Sequence, residues 1–255
     1  MKIATWNVNS LKVRLPQVLD WAAAEQPDVL ALQETKSPDE TFPLAEIEAA
    51  GYQCRYSGQK TYNGVAVLSK APATDPVTDI PALDDPQRRI LAVTVDGVRV
   101  VNLYVVNGQE VGSEKFDYKL HWLEQVRAFL VSELEAHRHV VVLGDFNIAP
   151  EDRDVYDPER WRERILCSTP EREALGRMLG AGFVDVFRAF DQPEGSFSWW
   201  DYRAAAFPRN RGLRIDLILA NEALAEKCTG SRIDSGPRGN ERPSDHTPVF
   251  AEFDL

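Results

Sequence analysis

Cysteine is scarce in this chain. Cys54, Cys167 and Cys228 are odd in number, widely spaced and free of any C-x-x-C pair, so neither a disulfide framework nor a thiolate zinc site is supported. Long hydrophobic runs are missing too. The apolar stretches are strand-sized, far short of the roughly 18 residues a membrane helix requires. The opening "MKIATWNVNS" enters a strand at once and leaves no room for a signal peptide. These absences predict a cytoplasmic protein with no membrane partner and with reduced, mostly buried thiols. Net positive charge is also lacking. At −11 over 255 residues, the chain argues at face value against a polyanionic partner, because phosphate binding needs local positive potential. No low-complexity segment, tandem repeat or linker is visible, so residues 1–255 are expected to form one domain.

What is present alternates between strand-like and helix-like segments. "MKIATWNV" and "PDVLALQET" read as strands around a helix "RLPQVLDWAAAEQ", with Pro16 in its first turn. Strands follow in "YQCRYS", "GVAVLSK", "RILAVTV" and "VRVVNLYVV", the last two joined across the hairpin signal Asp96-Gly97. A long helix capped by Ser113 is expected to turn Phe116, Leu120, Leu123, Val126 and Leu130 inward. After it, "VVVLGDFN" reads as a strand buried on both faces. Residues 149–164 read as an irregular connection, "EREALGRMLGAG" as a helix, and "FSWWDY", "LRIDLILA" and "TPVFAEFDL" as closing strands. Both halves open with a strand that ends in polar residues, which predicts two mixed sheets packed face to face with helices outside.

Charge is unevenly distributed. The segment Tyr202 to Ile215 holds Arg203, Arg209, Arg211 and Arg214 with no acid. The plain reading is a solvated loop; the neighbouring Phe197, Trp199 and Trp200 point instead to a stacking surface beside phosphate contacts.

Polar residues gather where apolar runs end: Asn7, Glu34, Tyr104, Asn107, Asp145, Asn147, Asp216, Asp245 and His246. Singly, each has a bland explanation as a turn residue, helix cap or hydrogen-bonded imidazole. Asp216 is harder to dismiss. It sits among Leu213, Ile215, Leu217, Ile218 and Leu219, and a carboxylate buried there needs an imidazolium or a set of donors. Together the set suits phosphoester hydrolysis. Carboxylates and amide oxygens form a hard site for Mg²⁺ or Mn²⁺, a carboxylate takes a proton from water, and a His–Asp pair faces the phosphate.

In order, "WNVNSLKVRL", "LQETK", "YVVNG", "KFDYKLHWL", "LGDFN", "SWWDYR", "NRGLRIDLIL" and "SDHTPV" resemble the exonuclease III branch of the endonuclease/exonuclease/phosphatase superfamily, the abasic-site endonucleases of DNA repair. The resemblance runs from Met1 to the last strand. It implies a four-layer αββα sandwich of two mixed sheets, acting as a monomer on double-stranded DNA at abasic sites or 3′ ends. It also implies roles. Glu34 is the principal metal carboxylate, supported by Asn7, with Asp245 a second metal-side acid and Asp145, Asn147 and His246 adjoining the metal. Asp145 is the base, Asn147 steadies the transition state, Asp216 pairs with His246, and Tyr104 approaches the phosphate. Trp199, Leu213 and Ile215 build an apolar pocket for a flipped abasic sugar, while Arg89, Asn107, Arg203 and Arg211 lie on the DNA side. "DDPQRRI" departs from the family pattern at Gln87 and Arg88, which leaves the loop's shape and the balance of incision against exonuclease action unassigned. Two other readings stand beside this one: a phosphoesterase of the same superfamily acting on a lipid or small phosphate ester, and a non-catalytic DNA-binding relative. A secreted DNase I-like nuclease fits neither the start of the chain nor its cysteines.

Overall fold

The computed structural model describes residues 1–80 and 82–255. In chain order the elements are β1 (Lys2–Asn7), α1 (Leu11–Glu25), β2 (Val29–Gln33), α2 (Leu44–Ala49), β3 (Gln53–Ser57), β4 (Val65–Ser69), β5 (Thr74–Val77), β6 (Ile90–Val95) and β7 (Val98–Tyr104). They continue with α3 (Glu114–Ala136), β8 (His139–Asp145), α4 (Pro158–Trp161), α5 (Thr169–Gly180), β9 (Phe183–Asp185), β10 (Asp216–Asn221), α6 (Glu222–Ala225), β11 (Cys228–Ile233) and β12 (Val249–Phe253). The strands form two six-stranded sheets, ordered β11-β12-β1-β2-β4-β3 and β5-β6-β7-β8-β10-β9. Among the described residues only β1/β2 and β7/β8 pair in parallel, and α1 and α3 lie between the strands they connect. The two-sheet sandwich expected from the sequence is therefore present. Its sheets do not follow the two halves of the chain, because β5 to β7 join the second sheet and β11 and β12 return to the first.

Burial explains the continuous valines of β8. Val141 and Leu143 pack between the sheets with Ile3, Ala31, Val65, Val93 and Ile218. Val140 and Val142 face the opposite way, under α3 and α5 with Trp122, Leu123, Val126 and Met178. A third cluster seats α1 and α2 on the first sheet through Trp6, Leu30 and Leu32 against Leu11, Val18, Trp21 and Ile47. Strands covered on both faces have no solvated side to alternate with. At β8 even a methyl group is excluded: Gly144 has φ +142, and a Cβ there would lie 1.9 Å from the Leu103 carbonyl oxygen.

Four local expectations change. Helix α1 starts at Leu11, anchored by Leu11 N donating to the Thr35 carbonyl, which places Pro16 inside the helix and beyond its first turn. The buried face of α3 carries Lys119 and Trp122, not Leu120, which is only partly covered. "FSWWDY" forms no strand; Trp199 makes isolated bridges to Leu213 and His246. The irregular connection after Ala149 contains α4 and a 3₁₀ turn at Asp152–Asp154. Strands β5, β9 and β11 were not distinguishable by alternation, being short or interrupted by Pro76 and Gly230.

Candidate active site

Polarity rises step by step along the surfaces where the sheets face each other. Ile3, Ala31, Val100, Val141 and Ile218 belong to the dry layer. One step along comes a buried polar layer: Gln33 donates to Thr5 Oγ1 at 2.9 Å and to Asn102 Oδ1 at 2.8 Å, and Asn102 donates to the carbonyls of Leu32 and Ala66. Asn102 thus hydrogen-bonds from the second sheet to two strands of the first. The next step carries Asn7, Tyr104, Asp145 and Asp216, with Asp145 opposite Tyr104 on one neighbouring strand and Asp216 on the other.

Asp145 is the hub. It is 1% exposed and accepts from Asn7 Nδ2 at 2.9 Å, from the Asn147 backbone N–H at 2.9 Å and from Asn147 Nδ2 at 3.3 Å. Its Oδ2 lies 3.7 Å from His246 Nε2. The other ring nitrogen, Nδ1, faces both oxygens of Asp216, at 2.9 and 3.1 Å. Ser198 Oγ accepts the backbone N–H groups of Ile215 and Asp216, which seats the strand carrying that acid. Burial opposes charge on His246, but Asp216 and Asp145 on its two sides outweigh that and push its pKa up to about 10. Burial also raises Asp145, to about 7, against the pull of the imidazolium. A charged His–Asp pair thus stands beside a carboxylate poised near neutrality.

Glu34, in a left-handed backbone conformation with φ 50, closes the other side. It accepts Asn7 Nδ2 at 3.0 Å and pairs with Lys36 at 2.9 Å. Burial works against its charge, yet Lys36 and Asn7 hold its pKa below the usual carboxylate range. Tyr104 is kept protonated: burial, then Glu34 and Asp145, push its hydroxyl well up. One amide, Asn7, therefore bridges two carboxylates. Glu34 and Asp145 bring hard carboxylate oxygens together, where clustered negative charge favours a divalent cation, and the Asn7 oxygen beside them accepts the Asn9 backbone N–H at 3.0 Å.

Other residues expected near the metal are engaged elsewhere. Asp145, Asp216 and His246 stand together in a group of metal-binding type, in which His246 Nδ1 also faces Asp216. The two Asp245 oxygens accept Asn9 Nδ2 and Trp199 Nε1, each at 3.0 Å, and Asp245 reaches Glu34 only through Asn9 and Lys36. The Asn147 side chain bonds Asn107, Val105 and Asp145. Asp245, Asn147 and His246 thus stand around the carboxylates, each held by these partners.

Along the rim, Arg89 lies over the Tyr104 ring at 4.5 Å and borders, with Asn107, Gly108, Lys115 and Tyr118, a cavity of about 470 Å³. Gln87 bonds Arg89, Asn63 and Tyr118, while Arg88 turns to Asp79. Arg203 and Arg211 are exposed. Two expectations need correction. Arg214 is not part of a basic surface: it is 1% exposed and paired with Asp154 at 2.7 Å and Asp185 at 2.8 Å. Leu213 and Ile215 expose no pocket wall, because they are buried with Val155, Leu166 and Cys167, and Trp199 alone of the three remains partly accessible. Phe197 and Trp200 likewise form a small buried cluster with Ala206.

Sequence reasoning missed Asn9 and Lys36, which link Asp245 to Glu34, and Lys119. The Lys119 ammonium is fully buried, pairs with Glu171 and donates to the carbonyls of Asn147 at 2.8 Å and Asn107 at 3.1 Å. A signal was available in its position, since a lysine three residues after Phe116 and four before Leu123 falls on the apolar face of the helix.

The chain matches the Endonuclease/Exonuclease/phosphatase family over residues 4–246. It is 36% identical to exodeoxyribonuclease III of Haemophilus influenzae, with 99% of this chain and 100% of that protein covered. Among solved structures, it is similar to NExo from Neisseria, described as a 3′ phosphatase bound to a product DNA hairpin, with 50% identity and a TM-score of 0.98 over 100% of both chains. It is also similar to an AP endonuclease from Archaeoglobus fulgidus, with 38% identity and a TM-score of 0.96 over 100% of both chains. By sequence and by fold alike, the chain belongs to the endonuclease/exonuclease/phosphatase family, in its exonuclease III branch.

Proposed function

We propose that this protein is a metal-dependent DNA-repair nuclease, a single catalytic unit acting as a monomer on double-stranded DNA. It hydrolyses the phosphodiester 5′ to abasic sites and removes nucleotides or phosphate from 3′ ends. All of these reactions break a bond between phosphorus and a 3′ oxygen, so one arrangement of groups serves them. The observation that carries the reading is the placement of Asp145 between the His246–Asp216 pair and the Asn7–Glu34 pair.

Asp145 takes a proton from water, whose oxygen attacks phosphorus as the bond to the 3′ oxygen breaks. Its value near 7 lets it act close to neutrality. His246 faces the phosphate as an imidazolium that Asp216 keeps charged and oriented. The Tyr104 hydroxyl stands beside Asp145 as a donor to phosphate oxygens, and the Asn147 amide, bonded to Val105 and Asp145, steadies the base through the transition state. Glu34, with Asn7 and Asp145 adjoining, holds Mg²⁺ or Mn²⁺. Bound there, the cation supplies positive charge to the phosphate and to the leaving oxygen. Arg89, Asn107, Arg203 and Arg211 hold the DNA backbone, with Trp199 against the sugar, which accounts for substrate binding by a chain of net charge −11.

The test is cleavage of a labelled duplex carrying one abasic-site analogue, beside duplexes with a recessed 3′ end and a 3′ phosphate, in Mg²⁺ and in EDTA. Incision or 3′ trimming that stops in EDTA is expected, and the ratio of products sets the balance of activities. Hydrolysis of a lipid or small phosphate ester, with all three duplexes intact, overturns the reading.

A further inference from the structure

Behind the catalytic strand ends lies a charged pair that the reaction does not touch. Lys119 and Glu171 are both 0% exposed at their side chains. They join three pieces of chain: the end of the β7 segment at Asn107, the segment after β8 at Asn147, and the start of α5. The three ammonium hydrogens match three acceptors: Glu171, the Asn147 carbonyl and the Asn107 carbonyl. Glu171 is saturated in turn, accepting the backbone N–H groups of Leu166 and Ser168 at 3.1 Å each and Ser168 Oγ at 2.6 Å. Packing around the lysine is close, since a Cβ on Gly108 would lie 3.0 Å from Lys119 Cδ.

A buried ion pair is weak evidence of a stability role, because well-packed apolar residues often replace one at no net cost. This pair is aimed at two particular carbonyls. Asn147 holds a left-handed conformation, φ 49, and from it the backbone N–H and side-chain amide both reach Asp145. The Asn147 and Asn107 side chains also bond each other at 3.2 Å, so one ammonium fixes both residues from below. Without it, the buried Asn147 carbonyl and the part-buried Asn107 carbonyl lose their donor and turn toward other partners, which moves the Asn147 amide off Asp145.

We infer that Lys119, held by Glu171, is a positioning residue that sets Asn147 and Asn107 against Asp145 for phosphoester hydrolysis. The inference rests on the nuclease reading above. A misplacement near 1 Å costs roughly 100-fold in rate. Of the rim residues only Asn107 is disturbed, while Arg89, Arg203 and Arg211 keep their places, so the effect falls mainly on kcat and KM changes little.

The test compares wild type, Lys119→Met, Lys119→Met/Glu171→Gln and Leu130→Ala on the abasic and 3′-phosphate duplexes in Mg²⁺, with Tm measured for each. The double variant leaves no buried charge unpaired and covers the case in which Lys119→Met does not fold. Leu130, fully buried on the same helix, reports plain destabilisation. Expected for both lysine variants is a kcat about 10- to 100-fold lower with KM within about threefold, while Leu130→Ala lowers Tm and keeps kcat below its melting range. The proposal is overturned by a kcat within twofold of wild type in either lysine variant, by a loss confined to KM, or by an equal kcat loss in Leu130→Ala. Failure of both lysine variants to fold assigns the pair to stability and overturns it too. Wild type inactive on both duplexes removes the nuclease reading and this inference with it.

Discussion

Replacing Asp145 by asparagine is expected to abolish turnover and, above neutrality, to improve stability relative to wild type. Asp145 is fully buried, and its pKa is raised from 3.8 to about 7, mainly by burial. A carboxyl with a raised native pKa binds its proton more tightly folded than unfolded, so stability falls as pH climbs from the unfolded value to the folded one and stays low beyond it. At 1.36 kcal/mol per pH unit, keeping Asp145 ionised costs about 4 kcal/mol above pH 7, of which about 3 kcal/mol accrues between pH 5 and pH 7. Asparagine does not titrate. Its amide faces the donors Asn7 Nδ2 and Asn147 Nδ2, a mismatch costing about 1–3 kcal/mol, but that cost is the same at every pH. Asp216 and Asp145 together hold His246 protonated through pH 8 in wild type, and Asp216 still faces its Nδ1 in the variant. The gap between variant and wild type should therefore move by about 3 kcal/mol in favour of the variant from pH 5 to pH 8. Urea unfolding in EDTA at the two pH values measures it. A gap that stays constant, or moves the other way, refutes the assignment of Asp145 as a carboxyl ionised against burial.

Glu34→Gln should weaken Mn²⁺ binding at least about tenfold by calorimetry, and an unchanged isotherm removes Glu34 from the metal site. Arg214→Met should cost about 3–5 kcal/mol of stability, since it leaves Asp154 and Asp185 buried short of a partner, with no change in how DNA affinity depends on salt. Arg211→Ala should do the reverse, reducing the salt slope by about one with little effect on Tm; identical slopes would place Arg211 away from phosphate. Trp199→Ala should depress abasic-site incision more than 3′-phosphate release, and equal losses would deny it a role against the lesion.

Much of this was legible in the sequence because polarity at the end of an apolar strand is a local signal. "VVVLGDFN" announces both a doubly covered strand and the acid it delivers, and Asp216 amid leucines and isoleucines calls for a partner that proves to be His246. Signals that depend on tertiary cover were not legible. Arg214 shares a loop with exposed arginines, and only Asp154 and Asp185, distant in the chain, turn it inward. Nothing near Leu213 and Ile215 in sequence signals that Val155 and Leu166 pack over them. The charge of Lys119 hides its place in the helical register of α3, and the aromatic content of "FSWWDY" mimics a strand.

The pairing of β1 with β12 bears on how such an enzyme comes into being on a ribosome. β1 carries Asn7 and is made long before β12, which binds along it in antiparallel register, Lys2 against Glu252 and Thr5 against Val249. His246 lies three residues before β12 and is seated when that strand docks. Until then Asp216 has no imidazolium, and a growing chain that already holds Glu34 and Asp145 has no complete means of cutting a phosphodiester. The closing contact is also the most distant in sequence, the kind that forms late because loop closure must precede it. On the proposed mechanism, synthesis order and topology together leave the site incomplete until β12 has been made.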